Sequence, residues 1–131
     1  MKKTGFTLIE LIIVLALIGI LSSISYPFYN EHVIRVRRVY IATALVDLAG
    51  RMEGYYLLNN TYSDADKKLS IDDSHYKNYY RLDIESKDDL YTLKAIPVGK
   101  QAKDLSCGEL IIDQSGNKSV SGSETVEKCW R

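Results

Sequence analysis

The chain lacks net charge. Its 131 residues carry 17 Lys and Arg against 17 Asp and Glu, which gives no bulk attraction to nucleic acid or to an acidic membrane. Cysteine is scarce, with only Cys107 and Cys129. Neither has a partner at C-x-x-C spacing, and His32 and His75 are remote, which argues against a zinc site. In an exported domain such a pair reads as a disulfide; in cytosol it reads as two free thiols or half a metal site. Catalytic constellations are missing as well. Asp64-x-Asp66 starts like a calcium loop, but Lys68 takes the third ligand position and no closing Gly or Glu follows. Ser115-Gly116 lacks the flanks of a nucleophile elbow, and neither His has a neighbouring Asp or Ser that would single it out. Asp72-Asp73 and Asp88-Asp89 read as solvated turn residues. Asn59-Asn60-Thr61 matches a glycosylation acceptor, a motif frequent by chance. No enzyme, metal or cofactor is expected. Repeats and low-complexity segments are also absent. Tyrosine is plentiful, with 10 residues; Tyr55-Tyr56 and Tyr79-Tyr80 read as helix and sheet packing.

Charge is missing most sharply near the start. Between Lys3 and Glu31 the only charged residue is Glu10. Residues 6–28 make a helix of about 34 Å, enough to cross a hydrocarbon core of about 30 Å. Three readings compete: a cleaved signal peptide, a plain anchor, and a helix that first anchors and then packs. Lys2-Lys3 and Ser23-Ile24-Ser25 fit a signal peptide. Glu10 inside the apolar run, and a helical pattern that continues past the cut, count against it. A plain anchor leaves Glu10 unexplained, because an acid inside a membrane helix costs about 2.5–3.5 kcal/mol. Either Glu10 stays wet near the headgroups, or it needs a cation from a neighbouring chain once the helix leaves lipid.

Lys2-Lys3-Thr4-Gly5 followed by Phe6-Thr7-Leu8-Ile9-Glu10 resembles the type IV prepilin signature. That signature is a short basic leader ending in Gly, then Phe, three mostly apolar residues and Glu. The resemblance implies cleavage between Gly5 and Phe6 by a prepilin peptidase, with methylation of the new Phe6 amine. It implies that Glu10 pairs with the Phe6 amine of an adjacent subunit; a buried carboxylate is tolerated where a buried cation meets it. Gly19 and Pro27 are poor helix residues, and related pilins extend the helix between such a pair in the fibre. The same melting is expected here between Gly19 and Pro27, against the simpler alternative of a kink at Pro27. Lys2 and Lys3 flank one side of the span, and Arg35, Arg37 and Arg38 the other, so the positive-inside rule is undecided or mildly contrary. The resemblance and the cysteines together put the leader in the cytoplasm and the head in the periplasm.

Beyond Pro27 no strong break precedes Asn59-Asn60. Ile34, Ile41, Leu45, Leu48, Met52 and Tyr55 or Tyr56 recur at three- and four-residue steps, an amphipathic helix. Residues 59–77 read as a connecting loop. Residues 79–84, 90–96 and 108–113 alternate as strands, with Lys87-Asp88-Asp89 and Ser115-Gly116-Asn117 as turns. Residues 118–121 can add a short fourth strand. The expected fold is α+β: a long N-terminal helix whose C-terminal half packs on a 3-4 stranded antiparallel sheet. The expected organisation is a leader over 1–5, a polymerisation helix over 6–28, its amphipathic continuation over 29–58 and a globular head over 59–131.

Cys107-Gly108-Glu109-Leu110, Ile112-Asp113, Gly116 and Cys129-Trp130 are similar to PilE-type minor pilins of proteobacteria. So are Asp47-Leu48-Ala49, Glu53, Tyr55-Tyr56 and Asn59-Asn60-Thr61-Tyr62. This resemblance implies a pilus subunit, major or minor, serving adhesion, twitching motility or DNA uptake. It would be stored in the inner membrane, handled by an inner-membrane assembly platform, and polymerised with other pilins into an extracellular fibre. A Cys107–Cys129 disulfide would close a loop of about 23 residues and add about 3 kcal/mol on the loop-entropy model. A type II secretion pseudopilin shares the N-terminal signature, although the Cys-Trp tail argues against it. A DNA-binding competence pilin needs a basic surface, for which Lys94, Lys100, Lys103, Lys118 and Lys128 could converge near sheet and tail; dispersed solubilising lysines are the alternative.

Overall fold

The computed structural model describes residues 5–131. Helix α1 runs unbroken over Leu8–Asn59, 52 residues, with Pro27 inside it. Its start is capped by side chains three residues apart. The Thr7 backbone N–H donates to Glu10 Oε2 (2.8 Å), the Thr7 hydroxyl donates to the same oxygen (2.7 Å), and Thr7 Oγ1 accepts from the Glu10 N–H (3.4 Å). This is a capping box, which satisfies donors that a bare helix start leaves unpaired. The helix stops at Asn60, whose φ of 57° is left-handed and whose N–H returns to the Tyr56 carbonyl at 2.7 Å.

The chain divides into two compact units between Val33 and Ile34. In the first, every described residue up to His32 is exposed. In the second, α1 buries Ile41, Leu45, Leu48, Met52 and Tyr55 on one stripe. Residues at those alternating four- and three-residue steps fall on a single helix face. After α1 come a one-turn helix α2 (Ala65–Lys68), strands β1 (Tyr80–Ser86) and β2 (Tyr91–Pro97), a 3-10 turn over Gly99–Lys103, strands β3 (Leu110–Asp113) and β4 (Lys118–Val120), and a last turn α3 (Val126–Cys129). The loop expected over residues 59–77 therefore contains one helical turn.

The sheet is an antiparallel meander in the order β1-β2-β3-β4. Leu82 pairs with Ala95, Ala95 with Leu110, and Leu110 with Val120. Alternation then turns Tyr80, Tyr91, Leu93, Ala95, Leu110 and Ile112 into the same core as the α1 stripe. Lys94 and Ile111 fall on the opposite face. The expected long helix is thus present, and the antiparallel sheet expected with three or four strands has four.

Cys107 and Cys129 form a disulfide with Cα atoms 5.6 Å apart, both buried. The tail lies close against the chain just before β3. The Gly122 N–H donates to the Cys107 carbonyl (3.0 Å), and the Glu124 N–H to the Ser106 carbonyl (2.9 Å). A Cβ on Gly122 would run into the Ser106 carbonyl oxygen, a backbone atom that cannot swing away. Gly122→Ala should therefore destabilise by about 1–3 kcal/mol. The check is a lower urea midpoint at unchanged slope, followed through Trp130 fluorescence.

Candidate assembly interface

The expected cleavage pair, Gly5 and Phe6, is exposed. Gly5 is exposed with nothing packed around its Cα, and Phe6 is 84% exposed. Large apolar side chains from Phe6 to Phe28 are all about half exposed or more; the most shielded, Val14, is still 49% exposed. Helix α1 is long and apolar enough to cross a membrane. Sequence alone marks Glu10 as an assembly residue. The structure adds that the lone chain holds its carboxylate against Thr7, a signal legible as Thr7-x-x-Glu10.

Between Gly19 and Pro27 the lone chain is helical. Three serine hydroxyls add bonds to its carbonyls there. Ser22, Ser23 and Ser25 hydroxyls donate to the carbonyls of Ile18, Ile20 and Leu21, at 2.7, 2.7 and 2.9 Å. Such back-bonding slightly weakens and bends helices. Pro27 has no N–H, so the Ser23 carbonyl loses its usual donor.

The candidate lysines do not converge on one site. Lys94 lies on the outer sheet face, ion-paired with Glu85 and paired across the strands with Asp83. Lys100 and Lys103 are exposed on the 3-10 turn. Lys118 and Lys128 sit on the neighbouring elements β4 and α3, beside the disulfide. There Lys118 Nζ lies 4.9 Å over the Trp130 ring, whose Nε1–H donates to the Ser119 carbonyl (3.3 Å). Lys128 pairs with Glu124 at 3.3 Å.

Two polar clusters tie α1 to the rest of the head, and sequence pattern does not reveal them. Glu53 on α1 accepts from the Tyr62 and Tyr91 hydroxyls at 3.0 and 3.1 Å. Tyr62 also meets the Tyr91 ring edge-on at 4.8 Å. Arg38 Nε pairs with Asp104 at 2.7 Å, with both side chains largely buried. Gln101 Nε2 donates to the Ile34 carbonyl (3.0 Å) and the Tyr80 hydroxyl (3.1 Å).

A family described as "Type IV minor pilin ComP, DNA uptake sequence receptor" has a model that matches residues 27–111, more than half of the chain. The prokaryotic N-terminal methylation motif matches residues 1–26. The chain belongs to the type IV pilin family. The family is one of structural subunits rather than enzymes. It is 28% identical over 102 residues to the type IV major pilin protein PilE1 of Neisseria gonorrhoeae, covering 74% of this chain and 60% of that one. It is 53% identical over 36 residues to the fimbrial protein EcpB of Eikenella corrodens, covering 28% and 23%. The matched regions span less than two thirds of the length of these relatives. The core protein G of the Klebsiella pneumoniae type II secretion system is 27% identical over 84 residues, 60% of each chain. A type IV pilin structure from Shewanella oneidensis superposes with a TM-score of 0.57 at 25% identity, covering 75% of this pilin and 98% of that chain. The Neisseria meningitidis non-core minor pilin PilV superposes at 0.53 and 24% identity, covering 72% and 94%, which shows the shared fold.

The tyrosines beside Glu53 predict an alkaline limit for this pilin. Burial first, and then the Glu53 carboxylate, push the Tyr62 phenol up to about 12 and raise Tyr91 as well. Between the unfolded value near 10 and the raised folded values, the unfolded chain has lost protons that the folded chain keeps. Stability is therefore intact below about pH 10 and falls as pH rises through the folded values. Urea midpoints measured from pH 8 to 12 should show that decline, and a Tyr62→Phe, Tyr91→Phe double variant should flatten it.

Proposed function

We infer that a prepilin peptidase cuts this pilin between Gly5 and Phe6 and that the Phe6 amine is then methylated. Residues 6–28 hold the subunit in the inner membrane with its head in the periplasm, until the assembly platform draws it into an extracellular pilus. The supporting observation is the exposed apolar helix with one carboxylate at its start. Outside lipid that surface must be covered, and other pilins carry a matching one. In the fibre, Glu10 exchanges Thr7 for the Phe6 amine of a neighbour. A full ammonium pairs with the carboxylate more strongly than the neutral donors it replaces. The back-bonding at Ser22, Ser23 and Ser25, which weakens helices slightly, and the donor missing at Pro27 favour extension of Gly19–Pro27 once packing rather than lipid surrounds it.

Glu10→Val removes the charge, and Gly5→Ser removes the cleavage residue. Either variant should leave a membrane protein that sheared fibres do not contain, by immunoblot of shear fraction against membrane fraction. Normal incorporation of both would contradict the assembly role.

Within the fibre the subunit serves DNA uptake as a minor pilin. The family match over residues 27–111 favours this use over adhesion or twitching motility. Lys118, Lys128 and Trp130, gathered by the disulfide, offer cations and a half-exposed indole to DNA, while Lys94 is occupied by acids. Lys118→Gln with Lys128→Gln should weaken binding of duplex DNA by the full chain in neutral detergent. The slope of log affinity against log salt should fall by about 2, near one for each phosphate no longer neutralised. An unchanged slope would remove the tail from the DNA site. A role as a secretion pseudopilin would instead appear as lost secreted enzymes in a deletion strain.

A further inference from the structure

The mildly contrary arginines after the span, Arg35, Arg37 and Arg38, are not accounted for by fibre assembly or by the tail. In the folded head they join a larger basic edge. Arg38 is spent on Asp104, and that ion pair, with Gln101 on the Ile34 carbonyl, draws the 3-10 turn onto the first turn of α1 within the head. Lys100 and Lys103 come with the turn. The segment before β1 arrives from the other side. The Arg37 guanidinium lies 3.7 Å over the Tyr79 ring, and the Val98 N–H donates to the Tyr79 carbonyl at 2.8 Å. Lys77 and Arg81 line one cavity with Tyr80 and with Val98, which leads into the 3-10 turn. Arg35, Lys77, Arg81, Lys100 and Lys103 are exposed and Arg37 is half-buried. Among the described residues none of these six is in an ion pair. The nearest buried acid, Asp104, is occupied by Arg38 and by the Ser106 hydroxyl.

We propose that this edge docks on anionic lipid headgroups while the subunit waits in the membrane. The proposal rests on the reading that residues 6–28 span the bilayer. Arg35 follows Phe28 by only seven residues, so a short stretch of chain ties the edge to the span. Six cations outside any ion pair among the described residues, with Asp73 beside Lys77 and Arg81, are attracted to an acidic surface held near them. Docking would hold the head against the bilayer before assembly and release it when the helix leaves lipid.

The test is hydrogen exchange of the full chain in nanodiscs of phosphatidylcholine alone or mixed with phosphatidylglycerol. Failure to incorporate into discs would contradict the spanning reading itself. With incorporation, amides of Lys77–Tyr79 and Gly99–Lys103 should exchange more slowly in the anionic discs, while those of β3 stay unchanged. The protection should vanish at about 1 M salt, where the Debye length is about 3 Å. Lys77→Gln, Lys100→Gln and Lys103→Gln should each weaken it by up to about fivefold. Equal exchange in both discs would overturn the docking. So would protection that appears only when a short duplex DNA is added to phosphatidylcholine discs, which would assign the edge to nucleic acid.

Discussion

Apolar side chains along residues 6–28 stand half or more exposed, and water does not tolerate a surface of that size. On the proposed reading, lipid covers it in one state and other pilin helices cover it in the other. Nearly every feature of the first unit answers to that double requirement. The only charge within the span sits at the helix start, where backbone donors and Thr7 already satisfy it. Glu10 is thus tolerable alone and available for exchange. The serine-rich stretch before Pro27 is helical in the lone chain, yet back-bonded by three hydroxyls and short of the donor that Pro27 lacks.

The head meets a different constraint. It must hold a four-stranded sheet of modest size on one helical stripe without a large core. Three devices compensate. The Glu53 carboxylate ties two tyrosines from separate segments to α1. The Arg38–Asp104 pair and Gln101 tie the 3-10 turn to the first turn of α1 within the head. The disulfide pins the tail, and with it Lys118, Lys128 and Trp130, beside β4. The same links that stabilise the head therefore also distribute its charge, gathering one set of cations at the tail and another at the edge near Ile34.

Periodic features were legible in the sequence because they repeat. The α1 stripe, the four strands and the turn at Ser115-Gly116-Asn117 follow from side-chain spacing, and their bounds differ by a residue or two. The glycine–phenylalanine–glutamate spacing was equally visible. Tertiary polar pairings were not. Glu53, Tyr62 and Tyr91 are separated by up to 38 residues, and nothing local marks them as partners. Gln101 looks like a surface residue until its amide is seen buried against Ile34 and Tyr80. The lysines misled for a related reason. Strand alternation sends Lys94 to a face rich in acids, whereas Lys118 and Lys128 are gathered by a disulfide that spacing alone does not orient. The capping box at Thr7 was readable and was eclipsed by the functional reading of Glu10.

The central claim is that one helix serves first as anchor and then as fibre core, with cleavage at Gly5 as the step between. Mass spectrometry of sheared pili tests it most directly. The account predicts peptides of this chain in the shear fraction, with an N-terminal peptide that begins at a methylated Phe6. A chain found only in membranes, with the Gly5–Phe6 bond intact, would contradict it.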